Sequence, residues 1–277
     1  YSVPSINTKD SEFETIPNKT LLEVNNVTIR FPITTNIFGK VTNSFTAVDN
    51  ISFDIKEGET LGLVGQSGCG KTTLGRSIVG LQTINEGSIV YKGETIAAPN
   101  KAYNPHYKKI IQLIFQDPYS SLHPRMRIGD AIAEPLLVHQ IVQNKAASKE
   151  RVIEMLEKVE LPADCFNKYP HEFSGGQRQR IVIARALIME PKFVICDESV
   201  SALDVSVQAQ VLNLLNNLKA SMQFSALFIT HDLSVVKYIS DRIMVMNQGK
   251  IEEIGPAETV YHSPKSLYTQ ELIASLP

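Results

Sequence analysis

The sequence predicts an α/β domain, and three observations carry that expectation. Strand-like and helix-like segments alternate from about residue 21 onward. A glycine-rich loop at 65–73 joins a short apolar strand to a helix. A second apolar strand, 193–196, runs into the carboxylate pair Asp197 and Glu198. Composition agrees: 43% of the 277 residues are hydrophobic and 20% charged, with 27 Lys+Arg against 29 Asp+Glu for a net charge of −2. That balance suits a sizeable core, argues against disorder and gives no electrostatic reason to expect nucleic-acid binding. No run approaches 18 uninterrupted apolar residues, so no membrane-spanning helix is expected. Cys69, Cys165 and Cys196 are too scattered for a disulfide scaffold or a zinc site, and a reducing cytosol suits them.

The elements follow in order. Residues 1–20 are polar and patternless and read as a tail. Leu22, Val24, Val27 and Ile29 begin a strand, 36–44 reads as a loop, and Ile51, Phe53 and Ile55 alternate along a half-buried strand. The turn 56–59 leads into the buried strand 61–64. A helix is expected over 72–79, a hairpin around Lys92 and Gly93, and a strand over 110–115. Residues 117–172, punctuated by Pro118, Pro124, Pro135, Pro162 and Pro170, read as a helical insertion. In it Ser148 is expected to cap a helix with Val152, Met155, Leu156 and Val159 on one face. A helix carrying Val211, Leu214, Leu215 and Leu218 separates the strands 193–196 and 226–230. Strands 242–246 and 250–254 flank a turn at Asn247, Gln248 and Gly249.

The loop Gly65-Gln66-Ser67-Gly68-Cys69-Gly70-Lys71-Thr72-Thr73 fits G-x4-G-K-[ST]. Consecutive backbone N–H groups and a helix N-terminus make an anion cradle, in which Lys71 reaches β- and γ-phosphates and the Thr72 hydroxyl ligates Mg²⁺. Asp197, at the end of its strand, is placed to orient the hydration shell of that Mg²⁺, and Glu198 to polarise an attacking water. Ser174-Gly175-Gly176-Gln177 precedes an apolar-faced helix over 178–189 and offers a second anion site, although a serine cap with two flexible glycines fits it equally. One phosphate loop beside two phosphate-binding helix starts makes sense if the second start serves another subunit's nucleotide. Cys69 reads as a small residue in a loop whose backbone does the binding. The rival reading is a redox-sensitive thiol with its pKa lowered by Lys71 and the helix terminus.

Together these residues resemble the ATP-binding-cassette (ABC) ATPases, over about 21–262 and in the family's order. Ser174–Gln177 resembles the signature motif, Gln116 the Q-loop glutamine, Ser201-Ala202-Leu203-Asp204 the D-loop and His231 the switch histidine. The resemblance implies a RecA-like core, an antiparallel β subdomain and the helical insertion. It also implies ATP and Mg²⁺ as ligands: Gln116 senses Mg²⁺ and water, and His231 contacts the γ-phosphate. Ser174, Gly176 and Asp204 then act across a dimer of cassettes. The base-stacking aromatic fits Phe31 best, with Phe38 and Phe45 as rivals. Residues 115–126 and 200–210 resemble the branch that powers oligopeptide and dipeptide permeases, and 263–277, with His262-Ser263-Pro264 and Tyr268-Thr269 at its start, resembles that branch's C-terminal extension. Ser199 and Phe173 depart from the family's proline and leucine without removing a functional group. The partners so implied are transmembrane permease subunits, a second identical or distinct cassette and, indirectly, an extracytoplasmic peptide-binding protein, at the cytoplasmic face of a bacterial membrane. Nickel, glutathione or sugar import, export, and a soluble ABC role on ribosomes or DNA are the alternatives.

Overall fold

The computed structural model describes residues 19–35, 41–201 and 203–275. Residues 1–18 of the expected tail, Phe38 and Ala202 lie outside them. Strands β1 (Thr20–Thr35) and β2 (Val41–Lys56) pair antiparallel, from Thr20↔Lys56 to Thr35↔Val41. Thr20, expected in the tail, therefore starts β1, and 41–44, expected in a loop, are strand. Leu22, Val24, Val27 and Ile29 are all buried although their spacing changes parity. A register shift between Val24 and Val27, with Asn26 at φ 50, absorbs the odd residue and keeps the apolar side chains on one face.

Next come β3 (Thr60–Val64), buried throughout, and α1 (Lys71–Ile78), followed by the hairpin β4 (Glu86–Tyr91) and β5 (Glu94–Ala97). Residues 107–110, partly assigned to a strand from sequence, form the helical turn α2 (Tyr107–Ile110), and β6 is only Ile111–Ile114. Edge-on contacts of Tyr107 with Tyr91 and Tyr103 hold that turn against the hairpin and override the β-propensity of Ile110. Helices α3 (Pro118–Ser121), α4 (Ile128–Val138), α5 (Lys145–Lys158) and α6 (Gly175–Leu187) separate β6 from β7 (Phe193–Asp197). The cap of α5 is Asn144, whose Oδ1 accepts from Ala147 N at 3.0 Å, not Ser148, which is buried inside the helix. An earlier good cap simply starts the helix a turn sooner. The chain closes with α7 (Val205–Met222), β8 (Ser225–Thr230), α8 (Leu233–Ile239), β9 (Arg242–Asn247), β10 (Lys250–Pro256), α9 (Ala257–His262) and α10 (Leu267–Ala274).

Among the described residues the strands form two sheets. One is antiparallel in the order β2-β1-β4-β5; the other runs β10-β9-β3-β8-β7-β6 and is parallel except at β10. Apolar residues of β1, β2, β4 and α1 share a core with one face of β3, β7 and β8, while α4–α7 cover the opposite face. A polar knot ties the sheets together. Buried Glu59 accepts from Lys56 N at 2.6 Å and from Arg242 Nη1 at 3.0 Å, and Arg242 also donates to the Asp54 carbonyl at 3.3 Å. Burial pushes the Glu59 carboxyl above its usual range, and Arg242 opposes that shift.

Arg242→Met would leave Glu59 buried without its cation, so its folded-state pKa rises further above the unfolded value. The resulting penalty is fully present above that raised pKa and shrinks as pH falls through it. Urea unfolding should show a loss of about 3–5 kcal/mol at pH 8 and a clearly smaller loss at pH 5.

Candidate functional site

Strands β3, β8 and β7 are parallel neighbours in register, with Val64 opposite Thr230 and Asp197 opposite Ile229. The segments leaving their carboxyl ends, beginning at Gly65, Glu198 and His231, therefore emerge side by side, where open α/β sheets place their ligands. The loop 65–70 is clamped from two sides. Cys69 O accepts from Gly249 N at 3.0 Å, at the tip of the β9–β10 hairpin, and Gly249 O accepts from Asp49 N of β2 at 2.8 Å. A Cβ on Gly65 would lie 2.1 Å from Met246 O, and one on Gly70 would lie 2.2 Å from Ala47 O, so both positions need glycine. Gly70 has φ 105 and caps α1 without a side-chain hydrogen bond, and the first turn of α1 carries no acidic residue. The leading N–H groups of α1 are thus left to an external anion. Ser67 and Gly68 are exposed on the loop's outer arc. Lys71 is buried, its Nζ donating to Gly65 O at 2.7 Å and Gln66 O at 2.9 Å.

Thr72 and Thr73 stand half-buried in the first turn of α1. Thr72 Oγ1 donates to Asp197 Oδ1 at 2.8 Å across the gap between α1 and β7. Asp197 is only 3% exposed, and burial pushes its carboxyl above the usual range against the opposing Thr72 hydroxyl. A buried carboxylate beside a hydroxyl, at the mouth of an uncapped helix, fits a hard divalent cation whose other ligands are phosphate and water oxygens. Among the described residues no group of three or more His, Cys, Asp or Glu side chains forms a metal cage of its own.

Glu198 carries the site's strained backbone. Its φ of 47 is left-handed, and its N–H extends the β7–β8 ladder by donating to Ile229 O at 2.9 Å. Its Oε2 accepts from Gln116 Nε2 at 3.0 Å and lies 3.7 Å from His231 Nδ1. Residues from three separate loops thus meet at one carboxylate oxygen. Such a carboxylate, aimed by an amide and an imidazole, can orient a water molecule and take its proton.

Ser174–Gln177 and Asp204 make a second surface. Ser174 Oγ accepts from Gln177 N at 3.3 Å while Gln177 Oε1 accepts from Ser174 N at 3.0 Å, a reciprocal cap of α6. Asp204 Oδ1 caps α7, accepting from Val207 N at 3.0 Å and from Ser206 Oγ at 2.7 Å, which holds its carboxyl below the usual range. Gly176, at the start of α6, has a packing role that the sequence does not reveal. A Cβ on Gly176 would lie 2.4 Å from Val207 Cγ1, and one on Gly175 would lie 3.8 Å from Leu203 Cδ2.

Phe31 lies opposite Phe45 in the β1–β2 pair; its half-buried ring packs on the core, whereas Phe45 is 53% exposed. Cys69 sets aside the rival reading of a thiol with a lowered pKa. Burial pushes its thiol up, outweighing Lys71, whose Nζ is 3.8 Å from Sγ, so the thiol is not an activated one. Sequence reasoning also missed that the Arg178 guanidinium stacks 4.0 Å over the Tyr119 ring, joining the segment after Gln116 to the start of α6. An arginine directly behind Gln177 was the available signal.

Residues 48–201 match the family model described as ABC transporter. The chain is 53% identical over 259 residues to the oligopeptide transport ATP-binding protein OppF of Streptococcus mutans, covering 94% of this chain and 82% of that protein. It is 48% identical over 257 residues to the glutathione import ATP-binding protein GsiA of Pectobacterium atrosepticum, covering 93% of this chain but only 41% of that protein. Among solved structures, the dimeric post-hydrolysis state of the ATP-binding cassette MJ0796 with ADP and Pi superposes with a TM-score of 0.73 at 26% identity, covering 86% of this chain and 99% of that one.

Two substitutions probe the geometry. Asp197→Asn removes a buried charge while keeping an acceptor for Thr72, so Tm of the nucleotide-free protein should rise by about 2–4 °C in calorimetry. A calorimetric scan of the same variant with Mg²⁺ and nucleotide added should show no further rise in Tm. Gly176→Ala forces a methyl into Val207, and chemical denaturation should show a loss of about 1–3 kcal/mol.

Proposed function

The chain belongs to the ABC transporter family, and from that premise we propose that it is the ATP-hydrolysing subunit of a bacterial importer of oligopeptides or dipeptides. The observation that carries the reading is the convergence of Gln116 and His231 on Glu198, next to the Thr72–Asp197 pair. The backbone N–H groups of 67–73 and Lys71 hold the phosphates of ATP, and Phe31, with Phe45 opposite, supplies the aromatic surface for the base. Thr72, Asp197 and Gln116 would hold Mg²⁺, which when bound screens the phosphate charge and polarises the terminal phosphoryl group. Gln116 and His231 fix Glu198 Oε2, leaving Oε1 to take the proton of the water that attacks the γ-phosphorus as the bond to ADP breaks. His231 stabilises charge on the terminal phosphate. Ser174, Gly176 and Asp204 act on the nucleotide of a second cassette, and that cassette's equivalents act on the ATP held by Lys71.

The MJ0796 neighbour is dimeric, which supports the pairing of two cassettes. Among the described residues no helix is long and apolar enough to cross a membrane. The likeness to importer ATP-binding proteins favours transmembrane permease subunits that supply the path, with the cassette against them on the cytoplasmic face. The likeness to the OppF protein favours peptides, and the likeness to GsiA makes glutathione, itself a small peptide, the second reading. An extracytoplasmic binding protein delivers the substrate.

Glu198→Gln keeps a side chain of the same shape but cannot take the water's proton. In membranes holding the permease, ATP binding should persist while turnover falls by about 10²- to 10⁴-fold. Undiminished turnover would remove Glu198 from its role. Failure of di- to hexapeptides to stimulate the wild-type complex, with stimulation by glutathione, would shift the substrate reading.

A further inference from the structure

The C-terminal segment has a small core of its own, shared with both functional loops. Val64, the residue before the phosphate loop, is buried with Leu233 and Val236 of α8, Ile243 and Val245 of β9, and Val260 of α9. Tyr268, Leu272 and Ile273 of α10 pack onto that cluster. The start of α10 is pinned from β10: the Glu253 carboxylate accepts from Lys265 N at 3.0 and 3.1 Å and from Ser266 N at 3.1 Å. Docked in this way, α10 presents the Tyr268 hydroxyl to the phosphate loop, where it accepts from Gln66 N at 3.3 Å. This residue lies well outside the stretch 48–201 that matches the family model.

We propose that Tyr268 is a positioning residue of the nucleotide site, holding the outer arc of the phosphate loop in its binding shape before ATP arrives. The inference rests on the ATP-binding reading above and adds a residue to it. Gly65 and Cys69 are buried, and the Gly249 amide on Cys69 O secures one end of the arc, while Gln66, Ser67 and Gly68 are exposed between them. Within the arc Cys69 N donates to Gln66 O at 3.3 Å, closing the turn, while glycine at 68, with φ +81, leaves the chain freer to move than another residue would. A hydroxyl on the Gln66 amide removes part of that freedom in the folded protein, so less ordering is left for nucleotide binding to supply. Lys71 is served as well, because its Nζ is held by the carbonyls of Gly65 and Gln66, and the peptide that carries the Gln66 N–H is the one that carries Gly65 O.

Tyr268→Phe deletes the hydroxyl and keeps the ring on the Val64 cluster. In the nucleotide-free chain, hydrogen exchange at the Gln66 amide should accelerate. Titration calorimetry with Mg·ADP should give a Kd about 3- to 10-fold weaker, the worth of one neutral hydrogen bond, at unchanged stoichiometry. A residue that only stabilises the fold would lower the stoichiometry or Tm and leave the Kd of the folded fraction alone, and that result overturns the proposal. Glu253→Gln, which loosens the start of α10 without touching the tyrosine, should weaken Kd in the same direction; if Tyr268→Phe does not fold, an unchanged Kd in Glu253→Gln overturns it equally. Failure of the wild-type chain to bind Mg·ADP refutes the nucleotide site itself, whereas wild-type binding with no change in either variant refutes only the role of Tyr268.

Discussion

The centre of the candidate site depends on the register of three parallel strands. With Val64 level with Thr230 and Asp197 level with Ile229, the chain leaves the sheet at Gly65, Glu198 and His231 within one short edge. A slip of one residue in any strand would turn its apolar side chains toward the wrong layer, so the hydrophobic cores on the two faces enforce the register. The chemistry is therefore specified by packing before any polar contact forms. The polar contacts then refine it, through the Thr72–Asp197 bond across α1 and β7 and the meeting of Gln116 and His231 at Glu198.

The site is costly to the fold, and the costs are local. Asp197 is a buried carboxylate and Glu198 a non-glycine residue in a left-handed conformation. Lys71 is buried with carbonyl oxygens as its partners in place of a carboxylate. Stability comes from the apolar layers, while the Glu59–Arg242 knot joins the antiparallel sheet to the parallel one. The same division explains why Lys71 does not lower the Cys69 thiol's pKa. Cys69 points into the packed side of the loop, where burial dominates its ionisation.

Much of this was legible in the sequence because it is local. The glycine-rich loop, the strand ending in two carboxylates and the glycine pair behind Ser174 are each contiguous, and their chemistry follows from backbone geometry that a few residues dictate. The strand positions Leu22, Val24, Val27 and Ile29 were legible too, although only the structure shows that a bulge at Asn26 reconciles their parity. What stayed hidden depends on distant partners. Ile110 reads as a strand residue until Tyr91 of the hairpin and Tyr103 of the loop after it hold Tyr107 in a helical turn that takes in Ile110. Ser148 and Asn144 are equivalent caps until the length of α5 decides between them. Tyr268 lies 202 residues from Gln66, and no spacing rule links a hydroxyl near one end of the chain to an amide in its first quarter.

The missing side chain at Gly176 has a mechanical meaning. Because Val207 fills the space where a Cβ on Gly176 would stand, the beginnings of α6 and α7 meet in direct contact there. Pushing one helix start toward the other at that point meets the Val207 side chain at once. Arg185, farther along α6, reaches the carbonyl of Ser121 and the carboxylate of Glu134, so the far end of the same helix is fastened to α3 and α4. Helix α6 is therefore a strut with one end bearing on the start of α7 and the other built into the helical layer, and a load on Ser174 is delivered to both.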